Sequence, residues 1–342
     1  MKIGITNVFY ATPKGHSYVN RDIIKILMDA GHEVHVNRFY NNDLSHEFIK
    51  PTSMKSNKDH AITKEDFIKW LDEVKPDVVF FMEYNQWWQD EHNKIIICKD
   101  RGIKTIGFLV WEKLDYFNMA QYAEYDKIIC PTGFQTKLMR NKGLYNVYHT
   151  PWGIDFSEID GIKPMENREK KKLTFFHCAG SGGVGDRKNT NAIVEAYNKI
   201  KDENTELMIT HLGQQVFLHD DIIRLTKHAD VLVNTSRWDS IGLNTLEANV
   251  CGKPVLVCDA SPMNEIIKNN INGLLVKCNI LDRVKDVSCP SAEVDVDDLA
   301  KKMDMLKNDL ILKTLQSNSR QFAEINFNWN KNKNAILKAF EE

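Results

Sequence analysis

Residues 229–276 read ADVLVNTSRWDSIGLNTLEANVCGKPVLVCDASPMNEIIKNNINGLLV, and this stretch decides how the rest of the chain is read. Val231, Leu232 and Val233 form a short β-rich apolar run, the pattern of a buried strand. The run opens into a loop containing Asp239. Gly242 then allows a tight backbone turn, and a helix begins near Leu243 or Asn244 and continues through Thr245. A helix start of this kind presents free backbone N–H groups and the positive end of the dipole, which suits a phosphate. Glu247 lies about one turn in, on the face that a ligand at the helix start can reach. Two carboxylates eight positions apart, on either side of a phosphate-friendly turn, can hold both ends of a polyol diphosphate. Glu247 would accept hydrogen bonds from a ribose, and Asp239 from a second sugar. Each acid alone has a plainer reading: Glu247 complements the helix dipole, and Asp239 sits in an exposed loop. The combination of acid, turn and helix start is what carries the ligand reading.

Working outward, the first half alternates strands with helices. KIGITNV is apolar and β-rich, and SYVNRDIIKILMDAG shows helical spacing of Val19, Ile23, Ile26 and Leu27 before stopping at Gly31. HEVHVNRF, PDVVFFME, KTIGFLVWE, YDKIICPT and NVYHTP read as further strands, with KEDFIKWLDEV as an intervening helix and NKIIICKDRG continuing the alternation. Strands separated by helices of this length imply parallel crossovers and an open doubly wound sheet. TPWGIDFSEIDGIKPMENREKKK breaks the rhythm with Pro, Gly and charge, so a linker is expected near residues 152–170. A second alternating set follows, from KLTFFHCAG to GLLVK, and residues 296–342 read as helical. Ligands of open α/β sheets bind at the carboxyl ends of the strands. With two such sheets, the cleft between them is the expected place for chemistry.

Composition narrows the class. The 342 residues are about twice the size of a usual domain. With 42% hydrophobic and 27% charged residues the chain can bury two cores. A net charge of −2 gives no long-range pull towards nucleic acid. The seven cysteines are scattered singly, as buried free thiols in a reducing compartment are, and the eleven histidines show no metal-ligand spacing. MKIGITNVFY is too short and polar for a signal peptide, and no apolar stretch reaches about 18 residues. The expectation is a cytoplasmic protein, at most resting on a membrane surface.

Residues 229–276 resemble the donor-binding signature of family 4 glycosyltransferases, which have the GT-B fold. That signature is an acidic residue, seven intervening positions and a Glu, then a small-residue helix, "CG.PV", a strand and "NG.LV". Asp239 stands at the first acidic position, where the family more often has Glu, and Glu247 at the second; Cys251–Val255 and Asn272–Val276 match as they stand. AGSGGVGDRKNTNAIVEAY is similar to the family's glycine-rich loop, with Gly182 in the loop and Lys188 at the diphosphate-binding lysine. Gly183 occupies the place of the family's arginine, for which Arg187 is the nearest substitute. The glycines at 180, 182, 183 and 185 also fit a dinucleotide loop, but the following strand ends in Thr210 and His211, where that reading needs an acid for the ribose. Gly15 matches a glycine that lets backbone approach the donor phosphates, and NFNWNKNKNAILKAF resembles the final helix. Trp111 and Glu112 replace a His-Asp pair that many members carry near the acceptor. Aromatic residues suited to stacking on sugars cluster in the same half, Trp87 among them with Tyr84, Trp88, Tyr116 and Phe117.

The resemblance therefore implies an α/β, GT-B protein: two Rossmann-like doubly wound domains facing across a cleft, with a C-terminal helix crossing back. The expected limits are 1–155 for the acceptor domain, 156–325 for the nucleotide-sugar domain and 326–342 for the helix. The implied activity is retaining transfer of a hexose-type sugar from a nucleoside-diphosphate sugar to an acceptor hydroxyl, on a glycan or lipid-linked acceptor, without a metal or other cofactor. Asp239, Lys188 and Arg187 form the expected catalytic group. Gly15, Gly182, Gly242, Leu243, Asn244, Thr245 and Glu247 are the donor-binding set, and Trp111, Glu112 and Trp87 the acceptor-binding set. A nucleotide-sugar epimerase on the same fold, a non-catalytic sugar-nucleotide module, and transfer to a modified nucleobase in DNA are the rival readings.

Overall fold

A computed structural model describes residues 1–8, 15–38, 50–57, 62–82, 91–114, 119–165, 172–180, 186–210, 217–282 and 289–342. The chain divides into two compact units, Met1–Thr150 with Lys333–Glu342, and Pro151–Asn332.

The first unit is built on β1 (Lys2–Val8), β2 (Glu33–Arg38), β3 (Ser53–Ser56), β4 (Val78–Met82), β5 (Lys104–Phe108), β6 (Lys127–Cys130) and β7 (Val147–His149), with α1 (Gly15–Asp29), α2 (Lys64–Val74), α3 (Glu91–Asp100) and α4 (Gly133–Asn141). The described strands form one sheet in the order β3-β2-β1-β4-β5-β6-β7, and every pairing is parallel. Chain order reverses between β1 and β4, which makes their carboxyl ends the switch point of this sheet. β4 is buried along its whole length, as expected for a strand covered on both faces. α2 is fixed by Thr63, whose hydroxyl accepts the Asp66 N–H, and it ends at Lys75 in the left-handed conformation. The spacing misses β3, a four-residue edge strand too polar to show an apolar alternation. It also misses α4, which is capped by Thr132 accepting the Gln135 N–H. Phe340, near the end of the chain, packs on Phe80 of β4 with ring centroids 5.5 Å apart.

The second unit contains α5 (Phe156–Gly161), β8 (Leu173–His177), α6 (Thr190–Ile200), β9 (Thr205–Ile209), α7 (His219–His228), β10 (Val231–Val233), α8 (Leu243–Val250), β11 (Val255–Cys258), α9 (Met263–Ile266) and β12 (Gly273–Val276). The hairpin β13 (Cys278–Leu281) and β14 (Ser291–Val294), then α10 (Val296–Met305) and α11 (Asp309–Asn326), complete it, and α12 (Trp329–Glu341) begins in it. α12 runs on from this unit, since residues from Lys333 group with the first. The main sheet has the order β12-β11-β10-β8-β9 with parallel pairings. The core gathers Phe175, Val231, Val233, Leu256 and Leu274 from the sheet with Ile193, Leu299 and Met303 from the helices over it.

The expected linker is not one over its first part. Pro151–Asn332 is a single unit, and within it Trp152, Ile154, Ile159 and Ile162 are all buried. Trp152 stacks near Trp329 at 5.5 Å, and Ile154 exchanges backbone hydrogen bonds with Phe327 and Trp329. Asp155 caps α5, and Arg320 of α11 grips both oxygens of Asp160 at 2.8 and 2.9 Å while donating to the Val250 carbonyl. These contacts come one residue at a time, so no apolar period announces them in the sequence.

The tail of the signature turns out to be packing. α8 ends in a Schellman motif: Gly252 sits at φ 70°, its N–H donates to Asn249 O, and the Lys253 N–H donates to Ala248 O. Asn272 uses its whole amide, donating to Asn249 Oδ1 at 2.6 Å and Ile266 O at 3.1 Å, and accepting from Lys268 N at 2.7 Å. Gly273 lies against β11 so closely that a Cβ would stand 2.2 Å from the Val255 carbonyl oxygen. Backbone cannot yield there as a side chain would. Gly273→Ala should therefore cost about 3 kcal/mol, the scale of severe overpacking. Urea denaturation checks this, and a variant as stable as the parent would contradict the close approach.

Candidate functional site

In the second sheet the chain order reverses between β8 and β10. Crossovers leave these neighbouring strands in opposite directions, so a crevice forms beyond their carboxyl ends. The loop after β8 supplies Arg187 and Lys188, and the loop after β10 supplies Asp239 and the start of α8.

Hydrogen bonds stitch the two loops together. Asp186 and Asn189 adopt left-handed φ values of 51° and 55°, which short polar side chains tolerate best after glycine. Asp186 Oδ1 accepts the Thr190 N–H at 3.0 Å, and the Asn189 amide donates to Thr235 O at 2.8 Å. The Arg237 N–H donates to Arg187 O at 2.8 Å, and Arg237 Nε donates to Asp186 O at 3.2 Å. Arg237 is itself held by an ion pair with Glu293 of β14. Beneath the loops, buried His177 bridges Val233 O at 2.9 Å through Nδ1 and Thr190 Oγ1 at 2.9 Å through Nε2. A backbone carbonyl only accepts, so Nδ1 carries the proton and Nε2 accepts from the Thr190 hydroxyl.

This scaffold places three charges side by side. Lys188 Nζ lies 2.9 Å from Asp239 Oδ2 and Arg187 Nη1 lies 3.6 Å from the same oxygen. Lys188 is buried, with 7% of its surface exposed. Burial pushes the Asp239 carboxyl up, but the charges of Lys188 and Arg187 outweigh that and hold it down at about 2. The Ser240 N–H occupies the other oxygen at 2.9 Å. The cluster carries one net positive charge, because two cations face one carboxylate.

Gly242 follows, at φ 67° and ψ 46°, the left-handed conformation that glycine enters without strain. Its carbonyl accepts from the Thr245 and Leu246 N–H groups, which leaves the amides of Leu243 and Asn244 as the donor end of α8. Asn234, at the end of β10, donates to Thr245 Oγ1 at 2.8 Å and Asn244 Oδ1 at 3.3 Å, and accepts from Ser236 Oγ at 2.6 Å. This residue fixes the helix start to the sheet. Sequence reading passed over it because a polar residue after a strand is unremarkable by itself.

Glu247 is buried one turn into α8, and its Oε1 accepts from His219 Nε2 at 2.7 Å. His219 opens α7 and belongs to no motif, so nothing in the sequence pointed to it. Burial raises the Cys178 thiol above its usual range, while Lys188 lowers it and Glu247 raises it. One thiol at the end of β8 thus feels the charge of both groups.

The structure brings Arg187, Lys188, Asp239, Gly242, Leu243, Asn244, Thr245 and Glu247 together in the second unit. Three expected residues lie in the first. Gly15 opens α1, which follows β1 at that sheet's switch point. Trp111 and Glu112 form a single 3₁₀ turn after β5. The Trp111 indole is 2% exposed and packs edge-on against Phe134 at 5.2 Å, so it serves the core of that unit and offers no open face for stacking. Glu112 is half-buried beside it. Gly182 and Trp87 lie outside the described residues, as do Gly183, Gly185, Tyr84, Trp88, Tyr116 and Phe117.

Residues 195–287 match the family "Glycosyl transferases group 1", a span that includes Asp239, Gly242 and Glu247 and begins after Lys188. An uncharacterized glycosyltransferase of Methanocaldococcus jannaschii is 25% identical over 224 residues, 63% of this chain and 53% of that protein. The chain spans about half the length of the curated relatives it matches, from 53% to 61% for the first two. Among solved structures, sucrose-phosphate synthase from Thermosynechococcus elongatus superposes with a TM-score of 0.77 at 14% identity, over 99% of this chain and 98% of that one. Anabaena HepE in complex with UDP-glucose gives 0.73 at 14% identity, over 99% of both chains. The fold is GT-B.

His177 makes the site sensitive to acid. Burial pushes its imidazole down to about 4, from an ordinary value of 6.5. The folded state then binds the proton less readily than the unfolded chain, so the neutral histidine's contribution is present above about pH 6.5 and is lost as pH falls towards about 4. His177→Asn keeps a donor for Val233 O without the titrating ring. Its melting temperature should fall less steeply than the parent's over that window, and parallel slopes would refute the buried neutral histidine.

Proposed function

We propose that the protein is a retaining glycosyltransferase, which moves a sugar from a nucleoside-diphosphate sugar to an acceptor hydroxyl without a metal. The observation that carries this reading is the placement of Lys188 and Arg187 against Asp239, next to the left-handed turn at Gly242 and the donor end of α8. A diphosphate needs positive charge on its leaving oxygens, a sugar needs a hydrogen-bond acceptor for its hydroxyls, and a ribose needs another. Lys188 and Arg187 meet Asp239 directly, and Glu247 lies one turn into the helix that starts after Gly242.

The roles follow from the chemistry. Lys188, Arg187 and the amides of Leu243 and Asn244 offset the charge that grows on the leaving diphosphate as the glycosidic bond breaks. These cations supply the charge that a metal would otherwise bring. Asp239, ionised throughout the neutral range because its carboxyl titrates near 2, orients the sugar hydroxyls. Glu247 accepts from the ribose. The acceptor hydroxyl attacks from the face that the diphosphate leaves, and the departing phosphate oxygen takes its proton, so configuration is retained without a covalent sugar on the protein. The groups act mainly by position and electrostatics. The acceptor is a hydroxyl of a glycan or lipid-linked molecule.

Isothermal titration of the purified protein with UDP-, GDP- and ADP-sugars identifies the donor. Glu247→Gln should then weaken that donor by roughly 1.5–3 kcal/mol, the worth of a charged hydrogen bond. Unchanged affinity would remove the ribose assignment. Asp239→Asn should lower turnover by about 10²–10³, as loss of one oriented group at the reacting centre does. It should also cost about 2 kcal/mol of stability, because the buried ammonium of Lys188 loses its partner. Product formed from the donor alone, with no acceptor or water consumed, would mark an epimerase and overturn the transferase reading.

A further inference from the structure

We infer that His219 is a positioning residue for ribose recognition: it holds one oxygen of the Glu247 carboxylate so that the other is presented to the ribose hydroxyls of the nucleotide. The inference rests on the assignment of Glu247 to the ribose made above, and extends it to a residue outside every motif in the chain.

The geometry is specific. His219 Nε2 donates to Glu247 Oε1 at 2.7 Å, and both side chains are largely buried, with 14% and 10% exposed. Among the described residues, the carboxylate of Glu247 takes this one hydrogen bond, through Oε1, and Oε2 takes none. The backbone that carries the imidazole is held at both ends of α7. His219 is the first residue of α7, and the Asp221 carboxylate accepts the Leu218 N–H at 3.2 Å to close that helix start. Further along, Lys227 Nζ donates to Ile159 O at 2.7 Å and ties α7 to α5.

The choice of side chain matters. A carboxylate accepts through two oxygens, and an arginine in this place would engage both through its planar fork. That would compete with the ribose. A lysine ammonium swings on a flexible stem and fixes no direction. An imidazole N–H donates along a single line to a single oxygen. It therefore sets the plane of the carboxylate and leaves half of its hydrogen-bonding capacity for a ligand. Vicinal ribose hydroxyls are the ligand chemistry that a single fixed carboxylate oxygen can grip, and a deoxyribose lacks one of those donors.

The test compares the nucleoside diphosphate that the parent binds with its 2′-deoxy and 3′-deoxy counterparts, by isothermal titration on the full chain. The parent should prefer the ribo form over at least one deoxy form by about tenfold, the ratio that one satisfied buried acceptor produces. His219→Ala should weaken the ribo form by about tenfold and the deoxy form that the parent discriminates against by less than about twofold, so that preference collapses. His219→Gln, which keeps an N–H donor, should recover part of it. Each folded variant is judged by its own ribo-to-deoxy ratio, so partial destabilisation does not hide the result. Equal weakening of all three ligands, or an unchanged ratio in both variants, overturns the role of His219. A parent that binds no nucleoside diphosphate overturns the donor-site reading itself. A parent that binds them without any ribose preference removes Glu247 from the ribose, and His219 with it.

Discussion

Lys188 and Asp239 come from loops that leave different strands, yet their charged atoms stand 2.9 Å apart. Holding a buried ammonium against a carboxylate is unfavourable unless the geometry is fixed beforehand, because desolvation of both groups offsets most of their attraction. The second unit fixes it through uncharged contacts. The left-handed Asp186 and Asn189, the Asn189–Thr235 hydrogen bond and the Arg237–Arg187 backbone bond lock the loops before any charge is considered. The ion pair is then a consequence of the stitching. A ligand that inserts between the two groups meets a rigid frame with one positive charge in excess.

Polar groups under the site serve the same end. His177 joins β8, β10 and α6 through two hydrogen bonds, and Asn234 joins β10 to the start of α8. Neither needs to touch a ligand. Each fixes the position of an element that carries part of the proposed site: α6 follows Lys188, and α8 starts after the Gly242 turn and carries Glu247. His219 extends this arrangement from α7 to the carboxylate of Glu247. Preorganisation of this type lets modest groups act strongly, because no reorganisation is required when charge shifts.

The signature itself divides into two kinds of residue. Asp239 meets Lys188, Gly242 makes the left-handed turn before α8, and Glu247 is held by His219. Gly252, Asn272 and Gly273 end a helix, satisfy buried carbonyls and permit close strand contact. A one-dimensional pattern joins them because the same β10-α8-β11-β12 segment carries both tasks. Matching the pattern therefore reads fold and site at once, and only the geometry separates the two.

What the sequence determined by itself was the alternation of apolar strands and amphipathic helices, the two-part division, and the carboxylate-turn-helix order around Gly242. These depend on residues near one another in the chain, where periodicity and turn chemistry act. The tertiary structure alone decided the rest. His219 meets Glu247 across 28 positions, and Arg187 and Lys188 meet Asp239 across 52 and 51. Trp111 is drawn into the core by Phe134, and the Pro-, Gly- and charge-rich start of the supposed linker is held by Trp329 and Arg320. Contacts made by single residues between distant elements have no period, so no pattern along the chain announces them; they exist only once parallel strands set their loops side by side.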